Sequence, residues 1–549
     1  MIGVSAAPSD RSTLAPIAKP VAALAVVLAM MVLAGCGGSS ERPAALPALH
    51  PRRVGPASMF TIGAELYTNP VPSMNLLHRL GVDDVRLDMN WSRIAPDPVS
   101  FHAPAFDATD PDAYPATSWA VYDAILRGLT ARHIGVDLAL IGPPPFWAEG
   151  RGDPKRTTQA QWKPDAAQYA HWVTAVGTRY SGHFTPPGAT HPLPRIDFWS
   201  IWNEPNNGQD LAPETPHPGS PVEVAPKLYR GLVNAAWAAL HATGHGRDRI
   251  LIGELAPAGA TFKGAPGLFS AMTPLRFLRA LYCVGSDYQQ LRGTQARERG
   301  CPATAAGSAR FPQQNPGLFS ASGFAVHPYD FTSLAPDVRT PNEPDYAELA
   351  ALPTVESTLD QLQRAYGSDT RFPLWSTEYG YITNPPNPQY AVTPTLAAYY
   401  LNWAEYLTWK DPRIRSYDQF LITDPPGTAP FSTGLITATG QPKPAFAAFR
   451  MPLYLPVSET AQGPSARGLG RRSACARRSD PDPPAQVVQI QFRPGSGGAF
   501  QTVRQVTLTN RHGYFEVRQS FPASGSVRLQ WTYPSGETVF SRNADFTFS

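Results

Sequence analysis

In FWSIWNEPNNG, residues 198–208, a run of large apolar residues ends on Asn203-Glu204-Pro205. A glutamate held between an amide and a proline, where a buried strand stops, is placed for proton transfer. A second apolar run, FPLWSTEYG (372–380), ends the same way at Glu378. One carboxyl group that gives up a proton and one carboxylate that attacks carbon or activates water make the pair that cleaves a glycosidic bond. As the acid, Glu204 must start protonated, which burial and a nearby like charge favour. As the nucleophile, Glu378 must be ionised. Any barrel rim can carry two unrelated glutamates, so the pairing has to come from the fold.

Eight short apolar runs supply candidate strands: 60–66, 84–89, 135–142, 196–203, 249–255, 321–328, 372–380 and 416–423. Stretches of helical period lie between them. In DAAQYAHWVTAVGTRY (165–180), Tyr169, Trp172, Val173, Val176 and Tyr180 fall on one helix face. LYRGLVNAAWAALHAT (228–243) and TLAAYYLNWAEYLTWK (395–410) behave alike. Eight strand–helix units in roughly 400 residues predict an α/β fold of the (β/α)8 TIM-barrel type with enlarged loops. A doubly wound open sheet has the same alternation, but FTIGAELYTNP opens no Gly-rich phosphate turn after the first strand. In a barrel, strands four and seven deliver Glu204 and Glu378 to the same mouth.

The neighbouring residues then carry a resemblance. The chain is similar to glycoside hydrolase clan A, the retaining TIM-barrel glycosidases, and most nearly to its families 5, 39 and 51. Trp202-Asn203-Glu204-Pro205 resembles the clan's Asn-Glu acid/base pair after strand four. Thr377-Glu378-Tyr379-Gly380 resembles its nucleophile after strand seven. VRLDMNWSRIAP (85–96) is similar to the strand-two signature and places Arg86 near the nucleophile. VHPY (326–329) is similar to the strand-six His-x-Tyr element, giving His327 and Tyr329. PPPFWA (143–148) resembles the loop framing the sugar, and STGLITATGQPKPAFAAF (432–449) the segment that closes the barrel. The match runs over residues 57–455 and implies double displacement with retention. In that scheme Asn203 bonds the sugar 2-hydroxyl, while Arg86 and Tyr329 keep Glu378 ionised. Trp91, Trp147 and Trp375 are candidate platforms for sugar faces. The chain departs from the clan at strand eight, where FLITDPP (420–426) has no tryptophan; Asp424 or Phe431 is expected at that edge.

The rest of the chain bounds the setting. It has 549 residues, 42% hydrophobic and 16% charged, with a net charge of +3, which suggests no nucleic-acid partner and fits binding of a neutral molecule; the carbohydrate substrate is what the resemblance implies. Protonation and carboxylate attack need no metal or organic cofactor. Arg11 and Lys19 precede the thirteen apolar residues VAALAVVLAMMVL, too few to span a bilayer, and LAGC follows. This predicts a lipoprotein-type signal over 1–35, lipidation of Cys36, and a tether over 36–56. The membrane is then met only through the lipid, and the protein is exported to the cell surface or secreted. An oxidising compartment lets Cys283 and Cys301 close their loop as a disulfide, and leaves Cys475 over. The basic, Pro-rich stretch 456–484 reads as a linker. Alternating runs over 485–549 read as a small immunoglobulin-like β-sandwich. The function expected is retaining hydrolysis of an extracellular poly- or oligosaccharide. A transglycosylase on the same site and an inactive carbohydrate-binding surface protein are the alternatives.

Overall fold

All eight runs become strands: β1 (Ala57–Thr61), β2 (Asp84–Asn90), β3 (Gly135–Ile141), β4 (Phe198–Ile201), β5 (Arg249–Leu255), β6 (Gly323–Val326), β7 (Leu374–Ser376) and β8 (Ser416–Phe420). The computed structural model describes residues 55–547 apart from 62, 64, 153–160, 260–266, 333, 429–430, 459–464, 471–485, 509–511 and 534, with backbone alone for 457–458 and 465–470. The signal segment, Cys36, the tether up to residue 54 and Cys475 lie outside the described residues. Among the described residues no helix is long and apolar enough to cross a membrane.

The strands lie parallel in the order β7-β6-β5-β4-β3-β2-β1-β8. β1 pairs with both β2 and β8. β7 meets β8 through the Arg415 N–H on the Leu374 carbonyl (2.8 Å) and the Phe420 N–H on the Tyr379 carbonyl (2.7 Å). The sheet therefore closes on itself, which rules out the open doubly wound alternative.

Sequence alternation sorts the strand side chains into two environments. Phe60, Val85, Leu87, Leu138, Trp199, Ile250, Phe324 and Leu374 belong to the main core, packed with the helices. Met59, Phe198, Leu251, Ala325 and Trp375 form a separate buried cluster, one residue each from five strands. Two residues further along, the same face turns polar: Thr61, Ser200, His327 and Thr377 are all buried. The barrel interior is thus apolar toward the strand N-termini and polar toward the C-terminal mouth. The helices have ordinary local causes. Ala166–Arg179 starts where the Asp165 carboxylate accepts from the Ala167 and Gln168 N–H groups, a cap worth about 1 kcal/mol. Pro394–Lys410 starts at Thr393, whose hydroxyl accepts from the Leu396 N–H, with Pro394 at the first helical position.

The C-terminal region is antiparallel. β9 (Val457–Ser458), β10 (Ser465–Gly470) and β13 (Phe515–Ser520) form one sheet. β11 (Val487–Pro494), β12 (Gln501–Thr507), β14 (Gly525–Thr532) and β15 (Thr538–Phe540) form the other, with β16 (Ala544–Phe546) on β14. Two strands therefore lie inside the stretch expected to be linker. The ladder from β10 to β13 uses backbone groups, so a sequence with no apolar period still pairs. Nor does the module stand apart from the barrel. Met451 and Leu453 join Val488, Ile490, Leu529 and Trp531 in its core. Tyr514 donates to Glu405 (2.8 Å), Tyr533 donates to the Arg79 carbonyl (2.9 Å), and Arg542 donates to Asn402 (2.7 Å). Arg79 just precedes β2, so this docking is at the end of the barrel opposite the mouth.

Candidate active site

β4 ends at Ile201, and the chain then turns through Trp202 and Glu204, both at positive φ (70° and 36°). Such backbone is strained for a non-glycine residue and occurs where a side chain must be aimed. It points Glu204 at His327, whose Nδ1 lies 2.9 Å from Glu204 Oε1. Asn207 donates to the other oxygen, Oε2, at 3.2 Å. From the end of β7, Glu378 accepts from Arg86 Nη1 (3.0 Å) at Oε1 and from the Tyr329 hydroxyl (3.0 Å) at Oε2. His327 Nδ1 is also 3.6 Å from Glu378 Oε2. One oxygen of each glutamate and the imidazole lie within 4.8 Å of one another. Arg86 Nη2 donates to Asn203 Oδ1 (2.8 Å), and the Asn203 amide reaches Asp210 (3.4 Å). Six expected residues, Glu204, Glu378, Asn203, Arg86, His327 and Tyr329, thus make one constellation.

Electrostatics follow from burial and proximity. Burial works against the charge on Arg86, but Asp88, Glu254 and Glu378 overcome it and hold the guanidinium pKa well above its ordinary value. Burial likewise opposes charging of His327, yet Glu378, Glu204 and Glu254 lift its pKa to about 10, so the imidazole is cationic at neutral pH. Glu378 departs from expectation. Burial raises its pKa, and His327 and Arg86 offset this only in part. Tyr329, pushed well up by burial and by Glu378, stays a hydroxyl donor. Below the pair, Asp137 receives the Ser200 hydroxyl (2.9 Å) and Asp418 the Thr61 hydroxyl (3.2 Å). Burial first, then the charges of Glu254 and Glu378 respectively, push these two carboxyls well up and favour their protonated forms.

None of the three expected tryptophans joins this group. Trp91 is completely buried and stacks on Trp172 with ring centroids 5.7 Å apart. Trp375 belongs to the apolar layer inside the barrel, edge-on to Phe198 at 4.9 Å. Trp147 is half-buried; its indole N–H goes to the Pro96 carbonyl and its ring packs on Trp91 and Phe106. Trp91 and Trp375 are packing residues, and Trp147 packs on the core while staying partly exposed; large apolar rings near strand ends serve the core equally well. At strand eight, Asp424 is engaged by Lys443 (3.0 Å) and the Gly434 N–H, away from the carboxylates. Phe431 instead packs against Tyr329 (5.8 Å) and Phe420 (5.6 Å), making an aromatic wall beside Glu378. A cavity of about 460 Å³, lined by Tyr67, Asp88, Asn90, Arg93 and Tyr122, adjoins the site through the 2.8 Å Arg86–Asp88 pair. A larger cleft of about 720 Å³, against Tyr288, Arg292 and Arg364, holds none of the constellation.

Sequence reasoning missed Glu254 and Asp210. A signal was available for Glu254, the one carboxylate in the apolar run RILIGEL and five residues from its only other charge, Arg249. Asp210, half-buried near Glu204, had none. The expected Cys283–Cys301 disulfide is formed in the β5–β6 connection.

No protein-family model matches the chain, and no curated protein matches it in sequence. Among solved structures it is similar to a glucosidase from Croceicoccus marinus, at 12% identity over 86% of this chain and 94% of that one, with a TM-score of 0.46. It is also similar to a family 39 glycoside hydrolase from Bacteroides cellulosilyticus WH2, at 12% identity over 85% and 80% of the two chains, with a TM-score of 0.44. A family 1 β-glucosidase from Thermotoga maritima aligns at 13% identity over 70% and 86%, with a TM-score of 0.40.

Proposed function

We propose that this chain is a retaining glycoside hydrolase that cleaves an oligo- or polysaccharide by double displacement. The observation that carries this reading is the carboxylate pair. Oxygens of Glu204 and Glu378 come within 4.8 Å, a closeness that suits the retaining arrangement, about 5–5.5 Å between carboxyl groups, better than the inverting one at about 6.5–9.5 Å.

In the first step Glu204 gives its proton to the glycosidic oxygen while Glu378 attacks the anomeric carbon; the C–O bond breaks and a glycosyl ester forms. In the second, Glu204 takes a proton from water, the water oxygen bonds to the anomeric carbon, and Glu378 leaves as carboxylate. Arg86 and Tyr329 hold both oxygens of Glu378 for attack. His327 and Asn207 fix Glu204. Arg86 orients Asn203 so that its amide nitrogen can meet a sugar hydroxyl. Phe431 and Tyr329 give the sugar an apolar wall.

The decisive measurement is the anomer formed first, followed by NMR on a panel of aryl and oligosaccharide β-glycosides. Retention is expected; an inverted first product overturns the reading. Glu378→Gln should abolish turnover. Glu204→Ala should spare only substrates whose leaving group needs no proton. Parent-like activity in either variant removes the glutamates from the mechanism. We also propose surface anchoring through lipid on Cys36; Cys36→Ser should release the protein from the membrane fraction, and unchanged fractionation argues against it.

A further inference from the structure

We infer that Glu254 is a positioning residue that ties the two carboxylates together, fixing Glu378 through Arg86 and Glu204 through His327; this rests on the glycosidase reading above. The backbone shows how it reaches the site. β5 and β6 pair at Ile252 with Phe324 and again at Leu255 with Val326, so two β5 residues oppose the single residue Ala325. That is a β-bulge, a device that re-aims a side chain. Without it, alternation from the inward Leu251 would send Glu254 outward into the apolar core. Gly253 at φ 109° and Glu254 at φ 49° make the turn. A Cβ at Gly253 would stand 2.3 Å from the Phe324 ring, so the bulge needs glycine there.

The result is a fully buried carboxylate with one overloaded oxygen. Glu254 Oε2 meets Arg86 Nε (3.2 Å), His327 Nε2 (2.9 Å) and the Thr377 hydroxyl (3.0 Å). These partners come from β2 and from the ends of β6 and β7, and each touches Glu378 or Glu204 or precedes one of them in the chain. Oε1 accepts no hydrogen bond of ordinary geometry among the described residues, and the Ser200 hydroxyl also lies close to the carboxylate. A buried charge and a strained backbone are costly for packing alone. Holding two cations that each grip a reacting carboxylate accounts for both.

The groups facing the imidazole are Glu204, Glu254, Glu378, and at longer range Asp210 and Asp418; Arg86 and Asp137 also face Glu254. Arg86 and His327 bring Glu254 down to about 2 against the effect of burial, and it in turn helps keep His327 charged.

The test is Glu254→Gln. The glutamine carbonyl can keep accepting at the Oε2 position, and its NH2 falls where Oε1 accepts no hydrogen bond of ordinary geometry, so charge is removed with little change in shape. Histidine-labelled NMR, with the His327 signal assigned by His327→Gln, is expected to show an imidazole protonated through pH 5–8 in the parent. In Glu254→Gln it should titrate inside that window, with kcat/KM at pH 7 falling at least tenfold and its acid limb moving up. A parent imidazole that titrates near 6.5 overturns the inference without any variant. So does an unaltered His327 titration in Glu254→Gln. The NMR readout needs no turnover, so failure of the glycosidase reading would show in the anomer experiment and leave this result separate.

Discussion

Removing the hydroxyl of Tyr329 tests the site most sharply. That hydroxyl donates to Glu378 Oε2 at 3.0 Å inside a fully buried setting. Phenylalanine keeps the ring where Phe331 (5.3 Å), Phe431 (5.8 Å) and Phe420 (6.2 Å) already hold it. A hydrogen bond to a charged group contributes about 1.5–3 kcal/mol. It favours the ionised carboxylate, so its loss should raise the pKa of Glu378 further. Burial already holds that pKa above the ordinary glutamate value. In the parent, the acid limb of kcat/KM should therefore lie above the ordinary glutamate range. In Tyr329→Phe it should move further up, and the loss in kcat/KM should reach about tenfold to a hundredfold below the limb and shrink above it. The assay is a pH–rate profile on an activated aryl glycoside, with thermal melting to check folding. A loss independent of pH, with the limb unmoved, refutes the charge argument and leaves the hydroxyl a purely steric role.

Four further outcomes follow from the packing and the charges. Replacing Cys283 and Cys301 by alanine opens an 18-residue loop and should cost about 3 kcal/mol in urea unfolding without raising KM; a change under 1 kcal/mol contradicts it. Lys443→Met strands a buried Asp424 and should destabilise by about 3–5 kcal/mol; a raised KM at unchanged stability would return Asp424 to the site. Trp91→Ala should lose about 3–5 kcal/mol of stability with KM intact, whereas Phe431→Ala should raise KM several-fold with little loss of stability; the reverse pattern would make Trp91 the sugar platform. His327 rises from 6.5 to about 10, so its contribution to stability is complete below 6.5 and lost as pH climbs through 10. Glu254 falls from 4.5 to about 2, so its contribution is complete above 4.5 and lost as pH drops through 2. Because the two groups share one interaction, thermal stability should plateau between 4.5 and 6.5, and Glu254→Gln should flatten that profile.

What was legible in the sequence depended on how local the cause was. Parallel strands buried on both faces are continuous apolar runs, which is why all eight could be read. A glutamate ending such a run is conspicuous, and two of them at strands four and seven fix their own partnership once the ring closes. Glu254 was hidden because its direction depends on a bulge, and a bulge is a mismatch with a neighbouring strand some seventy residues away. The tryptophans misled for a related reason. Trp375 and Glu378 sit three residues apart on one strand end, yet one belongs to the apolar layer and the other to the mouth. Only depth in the barrel separates them. Composition did not reveal the strands at 457–458 and 465–470 because a backbone ladder does not read side chains.

The layering also explains why the mouth can hold so much charge. Beneath it, an apolar plug of Met59, Phe198, Leu251, Ala325 and Trp375 excludes water, so the interactions above act through a medium of low polarity. Asp137 and Asp418, in the intermediate layer, respond by favouring the neutral form. Arg86 and His327 are then set against Glu254, Glu378 and Asp88, with ion-pair contacts of 2.8–3.6 Å. Under the proposed mechanism, in which Glu204 is the acid, three carboxylates then face two cations, an excess of one negative charge where Glu378 would meet the anomeric carbon. A neutral sugar gains little from it in the ground state. The oxocarbenium-like transition state of the proposed mechanism, with positive charge growing beside Glu378, would gain directly, and such a difference between the two states is what lowers a barrier.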